Sequence, residues 1–212
     1  MCGRFTQYNT REEYLSWLAD EATLDIPCDP TPIGRFNVTP GSKVLLLSER
    51  DTTWHLDPVM WSYAPPWWDK KQFINARIET AASSPMFKSL CEYGRAIVFA
   101  DAWYEWKKEG STKQPFMIYR ENRQPLFFAA IGSVPFERDD KREGFVLLTA
   151  NADGELAEIH NRRPVAMTPE AARRWLHHDI SSEEAIAVAR EGMIPADEFT
   201  WHAMPASRLR ME

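Results

Sequence analysis

The second residue of the chain is a cysteine, and its position gives it a chemistry that Cys28 and Cys91 lack. Removal of the initiator Met1, which a small second side chain favours, leaves Cys2 with a free α-amine and a thiol on adjacent carbons. The α-amine has a reference pKa of ~7.7–8.0 against ~10.4 for lysine, so roughly 10–15% of it is neutral at pH 7, compared with about 0.04% of a lysine amine. Such an amine forms a Schiff base with an aldehyde. The adjacent thiol then closes a five-membered thiazolidine ring, an intramolecular step of high effective molarity. Gly3 lets a ligand or another backbone approach closely.

Four further clusters carry chemistry. Trp103-Tyr104-Glu105-Trp106 sets a carboxylate among aromatic rings, where desolvation raises its pKa toward general-acid use; dehydration of a carbinolamine needs such an acid. A glutamate paired with a nearby Arg or Lys is the alternative. In Ile74-Asn75-Ala76-Arg77 the polar residues alternate, so Asn75 and Arg77 share one strand face and present an amide and a guanidinium to a sugar-phosphate. Ile159-His160-Asn161-Arg162-Arg163 joins an imidazole to a phosphate-capable arginine, although a buried, hydrogen-bonded histidine is the more common finding. Pro65-Pro66-Trp67-Trp68 is stiff, and its twin rings suit stacking on bases as well as packing in a core.

Composition narrows the setting. The 212 residues include 25 Lys and Arg against 31 Asp and Glu, a net charge of −6, and 12% are aromatic. Acidity argues against a general nucleic-acid binder, yet charge is uneven. Residues 121 to 212 hold 11 basic and 16 acidic residues, whereas residues 58 to 108 hold seven basic, five acidic and five of the nine Trp. Arginines interleaved with rings are what a single-strand binder uses; an ordinary mixed surface is the plainer alternative. The longest apolar run, Leu126 to Gly132, is far short of the ~20 residues that span a bilayer. No signal-peptide pattern opens the chain, so a cytoplasmic protein is expected. Three widely spaced cysteines indicate neither a disulfide framework nor a zinc site, and no metal or cofactor is expected.

The elements that must position these residues are mostly strands. Thr10 with Glu13 forms a capping box ahead of Tyr14, Leu15, Leu18 and Ala22, which predicts a first helix. Strands are predicted over residues 44–47, 59–63, 73–77, 96–100, 103–106, 116–119, 126–131 and 145–149. Helical turns follow at 155–159, from Thr168-Pro169 through Trp175, and from Ser181 with Glu184 to near Gly192. Many short strands without intervening helices imply an antiparallel, partly closed sheet in a single α+β domain over residues 1–212.

Met1-Cys2-Gly3-Arg4-Phe5, Asn37-Val38-Thr39-Pro40, the Trp61 to Trp68 stretch, Asn75-Ala76-Arg77 with Glu79-Thr80, Ala100-Asp101, Trp103 to Trp106, Pro115-Phe116, Thr149-Ala150 and His160 with Arg162 and Pro164 occur together in one order. In this the chain closely resembles the SOS-response-associated peptidase (SRAP) family of abasic-site processing proteins, over nearly its whole length. The resemblance implies a mostly antiparallel β pseudo-barrel with flanking helices that captures abasic sites in single-stranded DNA, single-strand to duplex junctions included. It implies a monomer in the cytoplasm, associated with the nucleoid when bound to DNA. Cys2 would be the nucleophile, forming a reversible thiazolidine with the ring-opened deoxyribose. Asn75 would orient the sugar, Glu105 would assist imine formation, and His160 would act in ring opening and reversal. Arg4, Arg77 and Arg162 would hold phosphates, Trp67 and Trp68 would flank the end of a duplex, and Asn37, Pro40, Trp106 and Thr149 would complete the DNA interface. Peptidase activity would be confined to self-removal of Met1.

Two departures from the family stand out. Ser84-Pro85-Met86-Phe87 lacks the usual arginine and thus one phosphate contact, and the tail after Trp201-His202 is shorter than usual, which would shorten the last strand. Two other functions use the same features. An N-terminal-nucleophile amidohydrolase of the glutamine amidotransferase type also begins Met-Cys-Gly, but no Asn-Gly turn is present to supply its glutamine-binding loop. A non-covalent single-strand-binding module would use the aromatic and arginine surface without Cys2.

Overall fold

A computed structural model describes residues 2–19, 30–133 and 144–209; Met1, Ala22 and Cys28 lie outside the described residues. Thirteen strands in the described residues form two sheets. The first runs in the order β13 (Phe199–Ala203), β8 (Thr112–Arg120), β7 (Ala102–Glu109), β1 (Phe5–Gln7) and β2 (Arg35–Val38). In the second the order is β11 (Arg162–Pro164), β10 (Gly144–Asn151), β9 (Leu126–Ser133), β6 (Arg95–Ala100), β3 (Lys43–Arg50) and β4 (Thr53–Met60). β12 (Ala166–Met167) adds to β9, and β5 (Asn75–Arg77) pairs with β10 in the one parallel pairing among the described residues. The class is α+β, as expected, but the sheets are not closed on themselves, so "pseudo-barrel" describes them only loosely.

The second sheet is the middle layer, which explains its apolar runs. In β9, Phe127, Ala129 and Ile131 pack on one side with Ile97 and Phe99 of β6, Leu15 and Leu18 of α1 (Arg11–Leu18), and Trp175 and Leu176 of α3 (Pro169–Leu176). The alternate residues Leu126, Phe128 and Ala130 face the first sheet and meet Phe5, Trp61, Trp103 and Phe199. Both faces of these strands are therefore buried. Each fully buried Phe or Leu contributes roughly 1.5–3 kcal/mol of transfer free energy, the main source of stability here.

Caps set the helix starts. Thr10 accepts the Glu13 amide at 3.1 Å, Thr168 stands before Pro169, and Ser181 forms a reciprocal capping box with Glu184 ahead of α4 (Ser182–Glu191). α2 (Lys88–Tyr93) is absent from the sequence expectation because it has no side-chain cap and only six residues. It stops at Gly94, where an added Cβ would fall 2.0 Å from the Gly132 carbonyl oxygen, so β9 passes too close for any side chain. β4 also departs from expectation. Its strand covers 53–60 rather than 59–63, because Thr53, His55, Asp57 and Pro58 lie along a sheet edge, where polar residues and a proline are tolerated. The predicted helix at 155–159 is a 3-10 turn over Gly154–Glu158.

Asp101 anchors the N-terminal strand. Its carboxylate accepts the Tyr8 amide at 2.8 Å, the Asn9 side-chain amide at 2.8 Å and the Tyr14 hydroxyl at 2.6 Å. Burial pushes its pKa up to about 6. Together with the Tyr104 amide donating to the Arg4 carbonyl at 2.9 Å, this ties the segment after Cys2 to β7, which carries Glu105. No helix among the described residues is long and apolar enough to cross a membrane.

Candidate active site and nucleic-acid interface

Cys2 is fully buried at the start of β1's approach, packed in the core between the sheets. Burial, and then the nearby charge of Glu105, push its thiol well above the ordinary value, so the sulfur is held as a neutral thiol. The Asn75 side-chain amide donates to the Cys2 carbonyl at 2.9 Å. The other end of that amide, Oδ1, is buried without a hydrogen-bond partner among the described residues, which leaves an acceptor beside the cysteine. Asn75 and Arg77 flank the buried Ala76 on β5, as their alternation predicted. Arg77 is exposed.

Glu105 lies on β7 with 3% of its surface exposed. Burial raises its pKa to about 7. Near neutral pH both its protonated and its ionised forms are therefore populated, and the upward shift has the direction its aromatic surroundings predicted. His160 shares a cleft of about 340 Å³ with Glu105, Trp106 and Lys113. Its Nδ1 lies 3.0 Å from the Arg162 amide nitrogen and 3.1 Å from the Arg162 carbonyl oxygen. Unprotonated Nδ1 accepts the amide N–H, and protonated Nδ1 donates to the carbonyl, so one residue's backbone serves either state of the ring. Burial lowers the imidazole pKa and favours the neutral ring.

A second cluster joins Arg4, Asn37 and Trp106. The Arg4 guanidinium donates to Asn37 Oδ1 at 3.3 Å and to the Leu209 carbonyl, and lies 5.6 Å from the Trp106 ring centre. Pro40 is half-buried in the loop after β2. Arg162, which the family resemblance makes a phosphate ligand, sits inside a hydrogen-bond network. It is buried, with its two terminal nitrogens bonded to both Glu79 oxygens at 2.8 and 2.9 Å, to Asn151 Oδ1 at 2.6 Å and to the Thr149 carbonyl. Glu79 is held below the usual carboxylate range, first by this arginine's hydrogen bonds. One guanidinium thus ties together the segment after β5, the end of β10 with Thr149, and the turn that holds His160.

The twin tryptophans separate. Trp67 is 61% exposed and lines another cleft of about 480 Å³ with Pro65, Pro66, Pro85 and Tyr93. Trp68 is half-buried, packs against Phe73 at 5.2 Å and donates its indole N–H to the Lys71 carbonyl. Sequence reasoning missed Lys113 at the mouth of the cleft, and Glu79 as the partner of Arg162. Among the described residues no cluster of His, Cys, Asp or Glu suits a metal ion.

The chain belongs to the SOS response associated peptidase (SRAP) family, whose model matches residues 1–208. It is similar to abasic site processing protein YedK of Escherichia coli, with 62% identity over 208 residues, 98% of this chain and 93% of that protein. Abasic site processing protein YoaM of Bacillus subtilis is 27% identical over 223 residues, 99% and 92% of the two chains. Among solved structures, a phage-related protein of Bordetella bronchiseptica matches with a TM-score of 0.81 and 33% identity, covering 96% of this chain and 94% of that one. A Bacteroides thetaiotaomicron protein, at 18% identity and a TM-score of 0.77, shares the fold.

Proposed function

We propose that this chain processes abasic sites in single-stranded DNA, capturing the ring-opened deoxyribose on Cys2 as a thiazolidine. What supports this reading is the buried Cys2 held by Asn75 and within the field of Glu105, in a protein 62% identical to an abasic site processing protein. Loss of Met1 frees the α-amine of Cys2. The neutral amine adds to the aldehyde carbon, and the nitrogen proton passes to oxygen to give a carbinolamine. Glu105 donates a proton to the departing hydroxyl, which leaves as water, and takes back the proton on nitrogen, which leaves a neutral imine and restores the carboxyl. The thiol then adds across the imine, its proton passing to nitrogen; aldehyde and aminothiol become thiazolidine and water. Asn75 Oδ1 accepts a sugar hydroxyl, and His160 handles the ring-oxygen proton in opening and reversal. Reversal makes the chemistry lyase-like, and hydrolysis is limited to removal of Met1.

Arg4, with Asn37 and Trp106 beside it, and Arg77 take phosphates. Arg162 reaches one only by exchanging Glu79 for it, and otherwise holds Thr149 and His160 in place. Pro40 and Thr149 border the strand. The protein acts as a monomer in the cytoplasm, on the nucleoid when bound.

Trp67, being exposed, stacks on the terminal pair where a duplex begins, whereas Trp68 supports it from below. One experiment tests the substrate and the junction together: gel detection of denaturation-resistant product from abasic oligonucleotides, as plain single strands and with a duplex starting beside the lesion. Wild type gives product with both, and none with a reduced abasic analogue that has no aldehyde. Trp67→Ala loses several-fold at the junction and little on the plain strand, with unchanged thermal stability. Product from the reduced analogue would refute aldehyde capture, and equal losses on both DNAs would remove the junction role.

A further inference from the structure

The arm formed by β7 and β8 beyond Trp106 carries a charge pattern that the folded protein alone does not explain. In the antiparallel register Lys108 stands directly opposite Lys113, and both are exposed. Like charges facing each other across a ladder destabilise it. Among the described residues no carboxylate forms an ion pair with Lys107, Lys108 or Lys113. Residues 106 to 114 hold three lysines against Glu109 alone, a net charge of +2 in a chain of −6. This basic arm also begins at the cleft, since Lys113 lines it together with Glu105, Trp106 and His160. At roughly 3.3 Å per residue, Lys108 stands about 10 Å along β7 from Glu105.

We propose that this arm binds the phosphates of the single strand on one side of the captured sugar, with Lys108 and Lys113 as the two contacts. The inference rests on the reading of the chain as a single-strand DNA protein and adds the path of the strand beyond the cleft. A polyanion between the two lysines turns their repulsion into attraction, and the strand so held runs from the cleft at Lys113 outward past Lys108. Arg4 and Arg77 alone would give a shallow salt dependence; two more phosphates steepen it.

The test is salt-dependent binding of an undamaged single-stranded oligonucleotide by the full chain, which involves no covalent step. Each phosphate released changes the log-log slope by ~0.7, so Lys108→Gln with Lys113→Gln makes it shallower by about 1.4 than wild type. Without DNA, the thermal midpoint of this variant equals or exceeds that of wild type, because the repulsion is gone. Lys108→Arg with Lys113→Arg keeps the wild-type slope. An unchanged slope in the glutamine pair overturns the arm, and so does an equal loss of slope in the arginine pair, which would mark a need for lysine's shape rather than charge. Failure of wild type itself to bind single strands is a different result and overturns the functional reading beneath it.

Discussion

Cys2→Ala is expected to eliminate the heat-stable adduct while leaving an imine that borohydride traps. Alanine keeps a free α-amine after loss of Met1, so the first bond still forms, but no thiol remains to close the ring. The imine then hydrolyses on denaturation. Cys2→Ser closes only the weaker oxazolidine and should give a short-lived product. The structure makes these variants interpretable, because residue 2 sits in a packed core where alanine and serine both fit within the space of cysteine. An N-terminal extension that resists processing should abolish both species, since an amide nitrogen is not nucleophilic. These results also separate the alternatives. An amidohydrolase would release ammonia from glutamine and ignore the lesion, and a passive binding module would tolerate the extension with unchanged affinity. Undiminished heat-stable product from Cys2→Ala, read on a denaturing gel, would place the nucleophile elsewhere.

The second large effect belongs to Glu105. Glu105→Gln keeps the shape of the side chain but removes the proton donor, so capture should slow by about a hundredfold, with DNA binding retained. The pH dependence carries a further signature. With its pKa raised to about 7 by burial, Glu105 loses its proton as pH rises through neutrality, so the wild-type rate should fall above that point. In the Gln variant that limb disappears, leaving the rise produced by the α-amine. Stability follows the same proton. The folded-state value lies above the ordinary glutamate value of 4.5, so the protonated carboxyl's contribution is complete below 4.5 and is lost as pH rises through about 7. Glu105→Gln should therefore be more stable than wild type at pH 8, by roughly 1–3 kcal/mol in denaturant unfolding. A variant less stable there, or a falling rate limb that survives the substitution, would contradict the assignment. His160→Ala should slow capture or reversal less completely than loss of Cys2, because its proton transfers concern ring opening and not the new bonds.

Much of this site was legible because its signals are local. Cys2 is chemically special by position alone, and Trp103 to Trp106 announces a desolvated carboxylate before any fold is known. The alternation of Asn75 and Arg77 about Ala76 needed only strand geometry. The middle-layer strands were found because burial on both faces leaves an apolar run. What escaped depends on pairings that only the fold or the strand register makes. That Glu79, 83 residues away, holds the Arg162 guanidinium has no signal in the sequence. Lys108 and Lys113 are unremarkable until the hairpin register sets them face to face. The edge strand β4 and the very short β1 carry too little periodicity to stand out. Exposure likewise separates Trp67 from Trp68, which sequence treats as equivalents.

Everything proposed for this site turns on a covalent bond between the lesion aldehyde and the aminothiol of Cys2. Intact-mass measurement of protein beginning at Cys2, after incubation with an oligonucleotide carrying one abasic site, tests it most directly. The expected product is a heat-stable species equal to protein plus oligonucleotide less one water, with the added mass on the N-terminal peptide after digestion and no need for borohydride. Absence of that species, or attachment to any residue other than Cys2, would contradict it.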